Sequence, residues 1–459
     1  MKQKALYMAA VAALILLPSG LRAQNLKSGY FVEDYTYRFQ MNPAFGNSQN
    51  FVSMPALGNL NIGMHGNLGI SDVLYNVDGK TTTFMNPGIS AQEALSKIND
   101  VNRIGTIDKI GILSGGFKAF GGYNTVSVNV VADVSAKLPG EMFNLLKNGV
   151  ANNTYNLGDL RAYGAAYGEI AFGHSRDIRQ VKGLRVGAAL KFLLGGGYMD
   201  AHMRNADLML GENEWTITTD ADMRASVKGL SYKTKLNKNT GHRYVNGIDV
   251  DNTGLNGFGM AIDLGAVYET PLKGLTVSLA LLDLGFISWS NDVLASTNGV
   301  KTFTTDRYTF NPDDDAPNSF KKEWERLRDD FSAIYELDDM GDQGGRTSMP
   351  HATLNIGAQY ALPMYDRLTF GLLNSTRIAG SFTTTDFRLS ANIAPCKVFS
   401  GGINLGVGTF GASFGWVANV HLTGFNFFLG MDRVPGKLAK QGVPLSSNAQ
   451  VTMGINFPF

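Results

Sequence analysis

The sequence predicts an all-β fold: a transmembrane antiparallel β-barrel of about fourteen strands with an N-terminal hatch segment and helix-bearing extracellular loops. Three observations predict it. Apolar and small polar residues alternate over many stretches. The polar positions carry Ser, Thr, Asn and Gly rather than charge. Short turns alternate with long polar connections along the chain.

The alternation is clearest in three segments. From Tyr123, Val126, Val128, Val130, Ala132 and Val134 share one face, while Thr125, Ser127 and Asn129 share the other. In 411–422, Ala412, Phe414, Trp416, Ala418, Val420 and Leu422 oppose Ser413, Gly415, Asn419 and His421. In 449–459, Val451, Met453, Ile455, Phe457 and Phe459 oppose Gln450, Thr452, Gly454 and Asn456. A period of two means a strand between two different environments. A soluble sandwich or lipocalin also alternates, but its wet face carries about a quarter to a third charged residues. Here that face is small and nearly uncharged, which suits a crowded lumen, and the apolar face suits lipid. The aromatics Phe414, Trp416, Phe425, Phe427, Phe457 and Phe459 supply candidate interfacial girdles.

Composition agrees. Hydrophobic residues make up 44% of the chain and charged ones 17%, with Gly at 54 of 459 positions. After Leu17 no apolar run is long enough for a membrane-spanning helix. A net charge of +1 gives no footprint for nucleic acid. The single Cys396 excludes an intramolecular disulfide and a Cys-based metal cage.

The connections order the strands. Short turns lie at Phe120-Gly121-Gly122, His174 to Gly183, Thr270 to Gly274, Pro363 to Arg367, Pro395 to Lys397 and Thr423. Long ones lie at 68–109, 135–159, 198–257, 289–350 and 432–448. That asymmetry places the long side outside the cell. The strands fall near 59–67, 110–119, 123–134, 160–173, 184–197, 258–269 and 275–288. The rest fall near 351–361, 368–376, 381–394, 398–408, 411–422, 424–431 and 449–459. Trp215-Thr216-Ile217-Thr218 hints at extra strands within 198–257, which parity would require in pairs. Two connections carry helical spacing: Ala91 to Ile104, and Phe320 to Leu337 with Phe320, Trp324, Leu327, Phe331 and Ile334 on one stripe.

The chain starts as a secretory signal peptide. Lys2 and Lys4 precede the apolar run Ala5 to Leu17, and Leu21-Arg22-Ala23 ends in a small residue before Gln24. The expected division is signal peptide over 1–23, hatch or plug over 24–58 and barrel over 59–459. The stretch Tyr37-Arg38-Phe39-Gln40-Met41-Asn42-Pro43-Ala44, ahead of these strands, resembles the FadL-like long-chain fatty-acid transporter superfamily. With Pro55-Ala56-Leu57-Gly58-Asn59 and Asn67-Leu68-Gly69-Ile70-Ser71-Asp72, the chain looks closer to a Bacteroidetes outer-membrane family of unknown function. That family is placed beside FadL and the PorV-like carriers of type IX secretion. The resemblance implies that the hatch sits inside the barrel, with Asn42, Pro43 and Ala44 near the lumen. Asn-Pro also reads as a rigid turn that touches no ligand.

No motif points to catalysis, a cofactor or a metal. Gly406-Val407-Gly408-Thr409-Phe410-Gly411 matches a dinucleotide fingerprint, but strand pattern runs on both sides, so it reads as a hairpin. Asp249 to Gly254 begins like a calcium loop, yet position twelve is Met260 where that motif needs Glu. That stretch and Asp313-Asp314-Asp315 read as solvated loop charge. The histidines 65, 174, 202, 242, 351 and 421 are scattered, and His421 follows the lumen parity of its strand. The expected protein is therefore not an enzyme. It is a barrel of a Gram-negative outer membrane, exported through a cleaved signal peptide, with small uncharged residues in its lumen. It passively transports small hydrophobic or amphipathic molecules, or else serves as a non-transport scaffold or carrier with other envelope proteins in secretion or assembly. Its expected partners are outer-membrane lipids, the barrel-assembly machinery during insertion, and an envelope protein docked on the extracellular loops, with no nucleic acid.

Overall fold

The period-two segments become the wall of a closed barrel. The computed structural model describes residues 25–149, 153–210, 215–237, 241–304, 336–435 and 448–459. The expected signal peptide and the helical stripe from Phe320 fall outside them, apart from the last two residues of that stripe.

The first seven wall strands are β1 (Asn59–Gly66), β2 (Val101–Ala119), β3 (Gly122–Pro139), β4 (Leu160–Asp177), β5 (Leu184–Leu210), β6 (Gly257–Glu269) and β7 (Leu275–Trp289). The other seven are β8 (Ala352–Leu362), β9 (Tyr365–Ile378), β10 (Thr384–Cys396), β11 (Phe399–Gly408), β12 (Gly411–Leu422), β13 (Phe425–Arg433) and β14 (Ala449–Pro458). Each pairs antiparallel with the next, and β14 returns to β1 through Leu60 opposite Met453 and Asn61 opposite Thr452. The result is a closed barrel of 14 strands, without an open edge.

Parity sets the two faces. On β10, Phe387 and Leu389 are exposed outward, while Arg388, Ser390 and Asn392 are buried inward. On β12 the inward Gly415, Val417 and Asn419 are buried and Phe414 is exposed. An apolar exterior around a polar interior is a barrel solvated by lipid. The dinucleotide-like glycines form the β11–β12 hairpin, with Gly408 opposite Gly411.

Three expectations need correction. The wall begins before residue 59: Phe51–Ser53 already pairs with both β14 and β2, and residues 54–58 form an outward bulge with Ala56 at φ 59°. The long connections hold far more strand than expected. β2, β3 and β5 run for 19, 18 and 27 residues, against about ten to cross a bilayer. Above Gly195, where β6 leaves β5, the strand Trp215–Val227 takes over the same edge from Gly197 to Leu210. The clusters around Ile217 and Ala221 cover this raised sheet with loop residues rather than lipid, so its residues lack a long apolar alternation and read as loop. Cross-strand ion pairs such as Arg204–Asp220 at 2.8 Å hold it. The helix expected over Ala91 to Ile104 stops at Leu95, because Val101–Ile104 is already β2. An unforeseen helix, Gly140–Asn148, lies beyond β3.

Candidate functional site

The site is the barrel interior, and it has two parts. Toward the short turns, residues 25–50 occupy it. Two 3-10 turns, Lys27–Gly29 and Thr36–Gln40, fold this segment tightly enough to fit. Its aromatics pack edge to face on one another and on the wall: Tyr30–Phe45 at 5.1 Å between centroids and Tyr35–Phe428 at 4.9 Å. The Arg38 guanidinium lies 4.1 Å over Phe45 and donates to the Tyr30 carbonyl.

The wall receives this segment with small polar side chains. Tyr30 shares a hydrogen bond with Ser278 of β7, and Asn355 of β8 donates to the Met41 carbonyl. Asn419 of β12 donates to the Asp34 carbonyl, and Asn426 of β13 to Thr36 Oγ1. These partners lie on opposite arcs of the ring, so the segment crosses the lumen. Each bond satisfies a buried polar group, for which loss of the partner costs about 1–3 kcal/mol.

Asn42, Pro43 and Ala44 are brought together as a turn against the wall. Asn42 is fully buried; its Oδ1 accepts from the Ala44 N–H at 2.9 Å. Its Nδ2 donates at 3.3 Å to the carbonyls of Ala266 and Leu279, a cross-strand pair of β6 and β7. The turn rests on Gly187 and Gly265, which face each other across β5 and β6. A Cβ on Gly187 would overlap the Pro43 carbonyl, and one on Gly265 would stand 2.8 Å from Pro43 Cδ. This close approach of two backbones is the reason for both glycines.

The six aromatics are not brought together. Phe414 and Phe457 are exposed on the outer face, and Trp416, Phe425 and Phe427 are partly exposed there. Phe425 and Phe457 are neighbours, 6.3 Å apart, while Phe459 ends the chain at the short-turn rim, 76% exposed.

Toward the long loops the interior is charged, which overturns the expectation of a small, uncharged lumen. Lys191 of β5 stands among Asp263 of β6 at 2.7 Å, Asp283 of β7 at 2.5 Å and Glu169 of β4 at 3.5 Å. Glu169 continues to Lys109 of β2 at 2.7 Å and to Asn129 of β3 at 2.8 Å. Six consecutive strands thus share one network. Asp133, His351 and Arg377 form a second group on β3, the approach to β8, and β9. Asp386 binds Arg388 at 2.7 Å and Lys27 at 3.3 Å in a third. These charges persist in burial because each is paired.

The third group also holds the start of the segment. Asp432 of β13 accepts from the backbone N–H groups of Lys27 and Ser28 at 2.8 and 2.6 Å, and from Ser28 Oγ at 2.6 Å. Asn404 of β11 donates to the same hydroxyl at 2.7 Å.

Two cavities lie above the segment. One, of about 90 Å³, is bounded below by Lys27, Tyr30 and Met41 and around by Asp133, Glu169 and Arg377. Asn25, Asp133 and Asn355 are among its lining residues, and the Oδ1 atom of each is buried without a protein donor, so donors from an occupant would be favoured there. The other, of about 40 Å³, lies between Lys27, His65, Arg388 and Arg433. It reaches a stretch of wall where one ladder is interrupted. The β1–β2 ladder pairs Leu60 with Ile110 and resumes at His65 with Gly105; among the described residues no pair bridges between them. There the Thr106 hydroxyl donates to the Gly63 carbonyl at 2.8 Å, and Thr106 and Asp108 are buried in the seam. His421, expected in the lumen, meets Ser400 at 2.9 Å and lies 3.6 Å from Asp34 of the segment.

Sequence reasoning missed the charged belt. A signal was present: Glu169, Lys191, Asp263 and Asp283 each stand alone as a Lys, Arg, Asp or Glu within the stretches 162–175, 186–199, 258–268 and 275–288. Ionisable residues at membrane depth are functional candidates by default.

A family model described as "Family of unknown function (DUF5723)" matches residues 43–432. No curated protein matches the sequence. Among solved structures, the chain is similar to the toluene transporter TodX of P. putida at TM-score 0.40 and 9% identity, over 91% of this chain and 92% of that one. It is similar to a FadL homologue of Pseudomonas aeruginosa at TM-score 0.33 and 11% identity, over 96% and 94%. It is also similar to the translocator domain of the autotransporter NalP of Neisseria meningitidis at TM-score 0.33 and 8% identity, over 90% of each chain.

Proposed function

We propose, from the premise that this chain belongs to the DUF5723 family of unknown function, that it is an outer-membrane barrel for gated, passive passage of small amphipathic molecules. Residues 25–50 act as its hatch. The chain reaches the outer membrane through a cleaved signal peptide over 1–23 and is inserted by the barrel-assembly machinery. Phe414, Trp416, Phe425, Phe427, Phe457 and Phe459 sit at its lipid interfaces.

One observation carries this reading. A cavity lined by charged residues is stacked directly on a segment that fills the lumen beneath it and is tied to the wall by few charged contacts. A purely hydrophobic cargo is disfavoured, because Lys27, Asp133, Glu169 and Arg377 face that cavity. An amphipathic solute can meet those groups with its polar end. The interrupted β1–β2 ladder beside the smaller cavity, crossed there by the Thr106–Gly63 bond, offers its apolar end a sideways route into lipid.

The test is solute entry into liposomes holding the purified barrel. A panel of equal-sized neutral polar, amphipathic and purely apolar solutes is compared for the wild type and Asp432→Asn. The reading expects amphipathic solutes to enter fastest and the variant to speed them. Equal rates for empty and barrel-bearing liposomes would contradict it.

The raised sheet above β5 favours a second reading, a scaffold whose long-loop side docks another envelope protein. A stoichiometric protein partner in mild detergent, with no solute entry, would favour the scaffold.

A further inference from the structure

Five of the six short turns, all but that at Thr423, pair an exposed apolar tip with an exposed cation. Phe120 lies beside Lys118, Val181 beside Arg179 and Lys182, Leu272 beside Lys273, and Val398 beside Lys397. Met364 is 97% exposed and is followed directly by Tyr365, Asp366 and Arg367. On the turns themselves acidic residues are few, namely Asp177, Glu269 and Asp366; Glu33 and Asp34 of the luminal segment are exposed inside the ring, Asp34 beside His421. Among the described residues, Lys118, Arg176, Arg179, Lys182, Lys273 and Lys397 join no ion pair; the ion pair formed there is Arg185–Asp177 at 3.3 Å. The long-loop end differs. Several of its arginines are matched across strands, as in Arg161–Asp200 at 2.7 Å and Arg224–Asp292 at 2.6 Å.

Phe120 adds an independent observation. It is 84% exposed and adopts φ 55°, followed by Gly121 at φ 73°, in a two-residue hairpin turn. That turn requires positive φ at both positions, where Asn, Asp and Gly are favoured and a bulky side chain is strained. No packing inside the protein repays this strain, since the ring points into solvent. An aromatic at the membrane interface is stabilised from outside the protein.

We infer that the short-turn rim is a headgroup-binding ring. Its apolar tips enter the interfacial layer of the adjoining leaflet, and its unpaired lysines and arginines bind the phosphates of anionic phospholipids. The inference rests on the membrane reading of the barrel. Charge complementarity selects the lipid over a zwitterionic neighbour, and the apolar tips select a bilayer over a soluble acidic protein, which would leave Phe120 and Met364 in water.

The experiment uses the full mature chain reconstituted in nanodiscs of phosphatidylcholine with phosphatidylglycerol, followed by native mass spectrometry of retained lipid. Wild type should retain phosphatidylglycerol in excess of its share of the bilayer. Lys118→Gln/Arg179→Gln/Lys182→Gln/Lys397→Gln should lose that excess by about five-fold or more. A control, Lys80→Gln/Lys97→Gln/Lys228→Gln/Lys235→Gln, removes four exposed lysines from the long-loop side and should keep it. In a second measurement, the added fluorescence of Phe120→Trp should be quenched by lipids brominated near the headgroup. No lipid preference in wild type, or equal loss in the control, would overturn the inference; so would an unquenched Trp at 120 whose emission is that of water. Failure of the wild type to insert at all would instead refute the membrane reading.

Discussion

The two halves of the lumen are filled by different physics. The short-turn half is packed by shape: aromatic rings of residues 25–50 against glycines and small amides of the wall. The long-loop half is held by charge, through networks centred on Lys191, Asp133 and Asp386. Steric packing tolerates salt but not an added methyl group. Paired charge tolerates a change of side-chain volume better than loss of one partner. Each half should therefore fail in its own way, and the residues joining them, Lys27 and Ser28 with Asp432, should decide when the segment moves.

The largest effect is expected in the charged half. Lys191→Met leaves Asp263 and Asp283 without their shared cation and should destabilise the barrel by about 3–5 kcal/mol, read from urea unfolding in micelles. Adding Asp263→Asn and Asp283→Asn to that variant should restore much of the loss. No rescue would mean that Lys191 acts through packing and that the contrast between the halves is false.

In the packed half, Phe31→Ala removes a ring that a Cβ on Gly371 would overlap. Its cost should be about 3–5 kcal/mol by the same assay, and independent of salt. Gly187→Val sharpens the point, because its side chain would claim the place of the Pro43 carbonyl. It should cost about 1–3 kcal/mol and expose residues 25–50 to protease while the wall stays resistant. Protection equal to wild type would show that the turn does not need the paired glycines.

At the junction, Asp432→Asn weakens three short bonds to Lys27 and Ser28 and should cost about 1.5–3 kcal/mol. The smallest effect belongs to the outer face. Phe414→Leu keeps an apolar surface toward lipid and should change stability by about 0.5 kcal/mol or less.

The wall was legible because one face meets lipid and the other does not, so period two survives in segments such as those of β3, β12 and β14. β12 falls where the alternation of Phe414 and Trp416 places it. The upper part of β5, around His202 and Arg204, was not legible, since above the lipid only scattered positions such as Ala206 and Leu210 are buried and no regular contrast between faces remains. Asn42-Pro43-Ala44 was readable as a rigid turn, but its seat required knowing that Gly187 and Gly265 face each other, which is a register between strands. The ion networks were hidden for the same reason. Lys191, Asp263 and Glu169 are spread over nearly a hundred residues and become partners only when the strands close side by side.

The most direct test of the account is current through single barrels in a planar bilayer, wild type against Asp432→Asn. If residues 25–50 close the lumen and Asp432 holds them, the wild type stays shut with rare brief openings, and the variant opens often and for longer. A steady open conductance in the wild type, or identical traces from the two proteins, would contradict it.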